Sequence, residues 1–299
     1  MKFHFILCIF FAVVCDGVHL QKPQKKSNNP PQDQQLLLLL NKLWQLDKNR
    51  LVYGREIQIS VQGRVSWNEN AVADLATRPL FGNINSLVLE KPTFKAFIKL
   101  LDNYCKNIGE NELITNTELF EKEEFLRLIL ESETMKEVYK FLKLKGKVGN
   151  SLNDFRQRLD ELWFKPYYRK ASTKIEDSSG FEHVFVGEID AASQKVSGFH
   201  SWIQMYLEEK KNDLNYLGYL KQGNSSSILM SRFKWHNSVK SLGSMFIGTS
   251  PEYEIAVYTA IFLMEYSDFR FMINGTPVKV TCFGINRGKS IGTCYPDVL

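Results

Sequence analysis

Hydrophobic residues in the first half of the chain recur at the spacing of α-helices. Residues 36–46 contain five consecutive leucines, which would cover every face of a helix, and Asp33 is placed to cap its start. Further segments with helical spacing or a helix cap are 94–101, 125–130, 135–142 and 151–162. Residues 56–61 alternate between apolar and polar side chains and predict a short strand. The first half is therefore predicted to be mainly helical.

The pattern changes after the turn signal at residues 177–180. Residues 181–187 predict a strand that carries His183 and Phe185 on one face and Val184 and Val186 on the other. Other strand-like segments are 195–198, 227–232, 243–247, 269–273, 277–283 and 291–296, with Asn274-Gly275 as a hairpin turn. Helices are predicted after Trp202 and from the Ser250-Pro251 cap to Met264. Helices followed by β-rich units predict an α+β fold.

The N-terminal residues differ from the rest in composition. Residues 1–17 join a short apolar run to small residues and predict a cleaved signal peptide. Residues 18–35 are polar and interrupted by prolines, so we expect a disordered linker. One domain is expected over 36–299, mainly helical in 36–170 and β-rich in 171–299. We therefore expect a secreted protein without a membrane anchor, glycosylated at the sequons of Asn224 and Asn274.

Composition narrows the class of protein only slightly. A hydrophobic content of 44% and a charged content of 24% are ordinary for a globular domain. A net charge of +5 is compatible with a polyanionic partner without requiring one. Beyond the predicted leader the cysteines are Cys105, Cys282 and Cys294. One disulfide is possible, with Cys282–Cys294 the favoured pair, and a structural zinc site is not expected.

The candidate chemistry centres on two of the five histidines. His183 and His200 each follow a Gly-Phe step, and a pair of imidazoles with pKa values near ~6.5 can accept and donate protons at neutral pH. His200 also comes just before a helix N-terminus, where free N–H groups favour an anion such as phosphate. Either histidine could instead be a core residue, or both could bind a metal ion with Glu182 and Glu188. The metal hypothesis is weaker, because adjacent residues of a strand, such as Glu182 and His183, point to opposite faces.

Other chemistries find less support. Ser250 lacks the surroundings of a nucleophilic serine, and the glycines have neither phosphate-loop nor dinucleotide-binding spacing. His236 is expected in a solvated loop. Lys240 would by default be a surface charge, but near two imidazoles it would supply the fixed positive charge that phosphoryl chemistry needs.

Several motifs together resemble a known family. They are SSGFEHVFVGE (178–188), GFHSWIQMYLEEKK (198–211), GSMFIGTSPEYEIAVYT (243–259) and IGTCYP (291–296), with looser similarity from residue 36 onwards. The chain is similar in these segments to the EndoU family of poly(U)-preferring endoribonucleases, which are related to the uridylate-specific nucleases of nidoviruses. The resemblance implies an α+β fold with a helical N-terminal part and two antiparallel-sheet lobes around a catalytic cleft.

The resemblance also implies a role for individual residues. His183, His200 and Lys240 would be the catalytic set, with His200 as the base and His183 as the acid. The expected products are a 2′,3′-cyclic phosphate and a 5′-hydroxyl. The residues implied to bind the uridylate are Ser244, Thr293 and Tyr295, and Glu182 and Glu188 match positions tied to activity. A divalent cation, Mn²⁺ or Ca²⁺, is expected at an unknown site, with single-stranded RNA as the partner of a monomeric enzyme. The alternative is a secreted RNA-binding protein without catalysis.

Overall fold

A computed structural model describes residues 33–67, 73–169 and 175–299. The predicted signal peptide, 1–17, and residues 18–32 of the predicted linker lie outside these residues. Asp33 caps the first helix as predicted, because its carboxylate accepts hydrogen bonds from the N–H groups of Gln35 and Leu36. The helix begins at Gln34, so it overlaps the last residues assigned to the linker. Among the described residues, none of the helices combines the length and the apolar character required to cross a bilayer.

The N-terminal half is mainly helical, as predicted. Its elements are α1 (Gln34–Leu46), β1 (Ile57–Ile59), β2 (Phe81–Ile84), α2 (Ser86–Leu89), α3 (Pro92–Leu100), α4 (Asn116–Leu130), α5 (Glu133–Leu144) and α6 (Leu152–Trp163). The capping box of α6 is present, with the Ser151 hydroxyl and the Asp154 carboxylate each accepting the other residue's N–H. These helices bury one apolar face each against a common core.

Among the described residues, the C-terminal half contains two larger sheets and two α-helices. Its elements are β3 (Glu188–Asp190), β4 (Lys195–Ser197), α7 (Trp202–Lys210), β5 (Leu214–Gln222), β6 (Ile228–Trp235), β7 (Ser238–Phe246), α8 (Pro251–Leu263), β8 (Asp268–Ile273), β9 (Thr276–Ile285) and β10 (Ser290–Val298). One sheet has the order β3-β4-β7-β6-β5 and the other β10-β9-β8. Strands β4 and β7 pair in parallel, and α7 with the β5–β6 hairpin forms the long connection that a parallel pair requires. The other strand pairs are antiparallel.

Helix α8 is buried on every side between these layers. Ser250 caps it through the N–H of Tyr253, and Pro251 occupies its first turn, as the sequence predicted. It packs against α1 and α5 on the helical side and against β9 and β10 on the other. The disulfide Cys282–Cys294 joins the directly paired residues of β9 and β10, so the favoured pairing is confirmed, and Cys105 is free.

The predicted strand over 181–187 is wrong. Glu182–Val186 forms a π-helix, in which the Gly187 N–H donates to the Glu182 carbonyl five residues earlier. All five of its residues are buried, so the apparent two-residue alternation of polar and apolar side chains did not reflect an exposed and a buried face. Phe181 and Phe185 both pack into the aromatic cluster around Phe97. A helical turn brings these two rings, four residues apart, to the same side.

Candidate active site

The π-helix brings the two predicted catalytic histidines into one backbone network. The carbonyls of His183 and Val184 accept hydrogen bonds from the N–H groups of Phe199 (2.9 Å) and His200 (2.6 Å). The backbone bends sharply at Gly198 (φ +62°), where a Cβ atom would collide with the His183 carbonyl oxygen. Phe199 is also left-handed, with φ 64°. Strained backbone of this kind is concentrated at functional sites because the surrounding structure must maintain it.

His200 is held as a neutral imidazole. Its Nδ1 lies 2.8 Å from the Ser244 carbonyl oxygen, which can only accept, so Nδ1 carries the proton and Nε2 keeps its lone pair. The ring stacks on Tyr295, with centroids 5.0 Å apart and planes at 19°. Burial, followed by the charge of Lys240, lowers the pKa of His200 to about 3. These contacts leave His200 with an unprotonated nitrogen that can act as a base at neutral pH.

His183 has a charged setting instead. Its Nδ1 lies 2.6 Å from Oε2 of Glu188, which only accepts, and against Nη2 of Arg169, which only donates, so the imidazole lies between an anion and a cation. Glu188 is almost completely buried and pairs with the buried guanidinium of Arg169, whose Nη2 also contacts the same ring nitrogen. The Glu188 carboxylate at Nδ1 favours the charged form of the imidazole, and the Arg169 guanidinium beside it favours release of the proton.

Strands β7 and β10 carry the remaining predicted residues. Lys240 and Ser244 both lie on β7, and Lys240 is close enough to affect His200 electrostatically. Tyr295 lies on β10, which packs against β6, β7 and the π-helix. Burial raises the pKa of Tyr295 to about 12, so its hydroxyl keeps its proton. The Thr293 hydroxyl is buried and has no hydrogen-bond partner among the described residues. Thr293 on β10 thus has a buried hydroxyl with an unused donor and acceptor.

Glu182 occupies an unusual position beside this network. It is fully buried, and neither carboxylate oxygen has a hydrogen-bond partner among the described residues. Burial and the nearby Glu188 carboxylate raise the pKa of Glu182 well above its ordinary value. Glu182 is therefore expected to be neutral. The expectation that it faces away from His183 across a strand no longer applies, since there is no strand here.

The donors at the histidines do not fit a metal ion well. The Glu188 carboxylate is already bound by Arg169 and His183. In the described part of the chain, the group with three possible ligand atoms within 4.8 Å of one another is Glu208, Asp213 and His236. There the Glu208 oxygens accept from Lys211 and Trp235, so a cation would have to displace Lys211. A mixed carboxylate and imidazole set suits Mn²⁺ better than Ca²⁺, which prefers oxygen.

His236 is less exposed than a solvated loop residue. It lies in the short turn between β6 and β7, where it is half-buried, and its ring packs beside Trp235. The Lys106 ammonium donates to its Nε2 at 3.0 Å. His236 therefore belongs to a surface cluster of its own.

Reasoning from the sequence missed Arg169 and Asp177. The Asp177 carboxylate accepts the Arg169 N–H at 2.8 Å and the Gly109 N–H at 2.8 Å. Arg169 ends the segment 161–169, which shares the looser similarity to the family, but nothing in its local pattern distinguishes this arginine from a surface residue. Its partner Glu188 is 19 residues away in the sequence.

Comparisons with known proteins agree with one another. The family model of Endoribonuclease XendoU matches residues 35–296. Uridylate-specific endoribonuclease B of Danio rerio is 41% identical over 267 residues, which cover 86% of this chain and 94% of that protein. Poly(U)-specific endoribonuclease-B of Xenopus laevis is 38% identical over 272 residues, covering 87% and 92% of the two chains. The solved structure of XendoU, described as a splicing independent snoRNA processing endoribonuclease, aligns with a TM-score of 0.75 at 35% identity, covering 90% of this chain and 99% of that one.

Proposed function

The chain belongs to the XendoU endoribonuclease family, and we propose that it cleaves single-stranded RNA at uridylates by attack of the ribose 2′-hydroxyl on the adjacent phosphate. The observation that carries this proposal is the pair of differently poised histidines. His200 has an unprotonated Nε2 because Nδ1 donates to the Ser244 carbonyl, while His183 has a carboxylate at Nδ1. A base and an acid with opposite surroundings are what one proton-transfer cycle requires.

In the proposed reaction His200 accepts the proton of the 2′-hydroxyl. The resulting oxygen nucleophile forms a bond to phosphorus as the bond to the 5′-oxygen breaks. His183 gives a proton to that leaving oxygen, so the products are a 2′,3′-cyclic phosphate and a 5′-hydroxyl. The Lys240 ammonium stabilises the charge that develops on the phosphate oxygens. Each proton transfer of this kind is typically worth ~10²–10⁴-fold in rate.

The uridylate preference is assigned to Ser244, Thr293 and Tyr295. The Thr293 hydroxyl is buried without a partner among the described residues, so a polar edge of the base would supply the hydrogen bond that it lacks. One face of the Tyr295 ring is covered by His200, and we assign its other face to the base or the sugar. Hydroxyl hydrogen bonds and aromatic stacking are the usual means of reading an unpaired base.

The proposal includes secretion, a single catalytic domain over 36–299 and a monomeric enzyme. Both sequon asparagines, Asn224 and Asn274, are exposed at hairpin ends, as N-glycosylation requires. The two hairpins touch, because the Ser225 N–H donates to the Thr276 hydroxyl at 3.3 Å. Two glycans attached there would lie side by side. Deglycosylation of protein secreted from cultured cells should therefore lower its mass in two steps.

Divalent-cation dependence, on Mn²⁺ or Ca²⁺, is part of the same proposal. Glu208, Asp213 and His236 are the residues that would hold the ion, and it would supply a fixed positive charge. Cleavage in EDTA, followed by addition of each ion to wild type and to Asp213→Asn, tests this assignment. Equal ion responses in the two proteins would exclude this cluster.

The decisive test is cleavage of an RNA with one internal uridine, compared with the same RNA carrying 2′-deoxyuridine there. We expect cleavage beside the uridine only, with a 2′,3′-cyclic phosphate identified by mass spectrometry. Cleavage beside the deoxynucleotide would contradict the 2′-hydroxyl mechanism. His183→Ala and His200→Ala should each abolish cleavage while RNA binding in a gel-shift assay remains. If wild type retards the RNA without shortening it, the alternative of a catalytically inactive RNA-binding protein is correct.

A further inference from the structure

Arg169 makes an ion pair with the Glu188 carboxylate through two of its nitrogen atoms. Its Nε lies 3.2 Å from Oε1 of Glu188, and its Nη2 lies 2.8 Å from Oε2. Both side chains are almost completely buried, with exposed fractions of 4% for Arg169 and 1% for Glu188. A planar guanidinium facing a carboxylate in this way fixes orientation as well as charge.

The backbone around Arg169 is fixed independently of the histidine. Its N–H donates to Asp177, and the neighbouring Tyr167 exchanges two backbone hydrogen bonds with Ser178, at 2.8 and 3.2 Å. Asp177 is in turn bound by the Gly109 N–H. The backbone that carries the Arg169 side chain is therefore held in place by the fold.

Oxygen Oε2 of Glu188 contacts both Arg169 and His183. It lies 2.8 Å from the guanidinium Nη2 and 2.6 Å from the imidazole Nδ1. Negative or ionisable groups surround this pair, namely Glu182 on the π-helix, Glu112, Asp177 and the Tyr167 hydroxyl. Arg169 is the cation that directly contacts Glu188 within this acidic surrounding.

The charge of Arg169 changes what the Glu188–His183 pair can do with a proton. When Glu188 is ionised and His183 is neutral, the side chains of Arg169, Glu188 and His183 together have no net charge. An added proton then resides on the imidazole and is released easily. Without the guanidinium, the same carboxylate and imidazole would hold a proton between them more tightly, because removing a cation raises the proton affinity of the pair.

We propose that Arg169 is a positioning residue for RNA cleavage, which holds the Glu188 carboxylate against His183 and by its charge makes the Glu188–His183 pair a ready proton donor to the leaving 5′-oxygen. This inference rests on the function proposed above. Arg169 binds Glu188 with its Nε and Nη2, and Nη2 also contacts Nδ1 of His183, so it acts on these two side chains. Arg169→Lys keeps the positive charge and should therefore preserve the proton affinity of His183. Arg169→Met keeps neither the charge nor the shape of the guanidinium and should not preserve it.

The test compares wild type with Arg169→Lys and Arg169→Met in cleavage of a uridine-containing oligoribonucleotide. For Arg169→Met we expect kcat to fall about 10–100-fold, as for other groups that orient a reacting side chain, with a much smaller change in KM. The high-pH limb of its kcat profile should move to higher pH. Arg169→Lys should keep the wild-type limb and lose less kcat. A rise in KM with kcat unchanged would mean that Arg169 binds RNA directly, and would overturn the proposal.

Two further measurements separate this role from a structural one and from failure of the proposed function. First, a ¹⁵N-imidazole NMR titration of His183, assigned with His183→Gln, needs no catalysis. It should show tighter proton binding in Arg169→Met than in wild type, and unchanged titration would refute the proposal. Second, in a double-mutant cycle, Arg169→Met should cost little additional kcat in a Glu188→Gln background. Fully additive losses would show that Arg169 does not act through Glu188. If wild type cleaves no RNA, only the proposed function fails, because the titration remains interpretable.

Discussion

The imidazole of His200 stacks on the phenol ring of Tyr295, with ring centroids 5.0 Å apart and planes at 19°. His200 is held to β7 through the Ser244 carbonyl, while Tyr295 belongs to β10 of the three-stranded sheet. This stack therefore joins the two sheets at the candidate site. It also means that Tyr295 has two separable features. Its ring face supports the His200 imidazole, and its hydroxyl can contact substrate.

Substitutions at Tyr295 should separate these features. Tyr295→Phe keeps the stack, so we expect kcat to fall less than about 10-fold, with the larger effect on KM. Tyr295→Ala removes the ring that orients His200, and we expect kcat to fall about 100-fold or more, since misplacing a catalytic group by about an ångström can cost this much. Steady-state cleavage of a uridine-containing oligonucleotide measures both. Equal losses of kcat in the two variants would show that the stack with Tyr295 does not orient His200.

Lys240 should influence cleavage partly through His200. Its charge is the second cause, after burial, of the low pKa of His200. Lys240→Gln removes that charge, so the pKa of His200 should rise while remaining below its ordinary value. Because the base must be unprotonated, the low-pH limb of kcat/KM should move to higher pH in Lys240→Gln. Lys240→Arg keeps the charge and should keep the wild-type limb, and a shifted limb there would contradict this explanation.

Gly198 should not tolerate any side chain. It has φ +62°, and a Cβ atom would lie against the carbonyl oxygen of His183. Gly146 is a matched control, with φ +64° and nothing within 4 Å of the position of a Cβ atom. Left-handed strain alone costs on the order of 1–3 kcal/mol, so Gly146→Ala should lose about that much unfolding free energy in urea titrations. Gly198→Ala should lose more and should also lose cleavage. Equal destabilisation by both would show that the close approach is relaxed.

The sequence predicted the parts of this protein that depend on local signals. The Ser250-Pro251 helix start, the Asp33 cap and the hairpin at Asn274-Gly275 all depend on residues a few positions apart, and all three are present. The disulfide Cys282–Cys294 was predictable because both residues lie in one β-rich segment. Local patterns of this kind are reliable because the backbone conformation that they require is satisfied within a single turn.

The π-helix and strand β5 were not predictable in the same way. In the π-helix all residues are buried, and along β5 buried residues occupy both faces, so neither segment shows a simple periodic contrast. For the site itself, the sequence predicted which residues take part but not the charged groups that surround each of them. Motif resemblance identified His183, His200 and Lys240, but their different charge environments arise from Ser244, Glu188 and Arg169, which only the tertiary structure brings to them.

A buried carboxyl group remote from the histidines in sequence should make stability depend on pH. Asp47 is 4% exposed, and burial, together with the Glu252 carboxylate, raises its pKa to about 7. The folded state therefore holds a proton that the unfolded state releases near its ordinary value of about 4. This contribution to stability is complete below about pH 4 and is lost as the pH rises through 7. At about pH 8 the ionised carboxylate should cost on the order of 3–4 kcal/mol relative to its protonated form.

Asp47→Asn tests this directly, because the amide has the shape of the protonated carboxyl and can still accept the Ser250 N–H. We expect this substitution to raise the Tm less at about pH 5, where the folded carboxyl is neutral and only the unfolded state has ionised, than at about pH 8, where the gain should be several degrees. Asp268→Asn, at an exposed position of β8, controls for the change in net charge and should leave the Tm unchanged at both pH values. A gain for Asp47→Asn that is the same at both pH values would show that Asp47 does not titrate near neutrality, because only a pH-dependent charge can produce a pH-dependent gain.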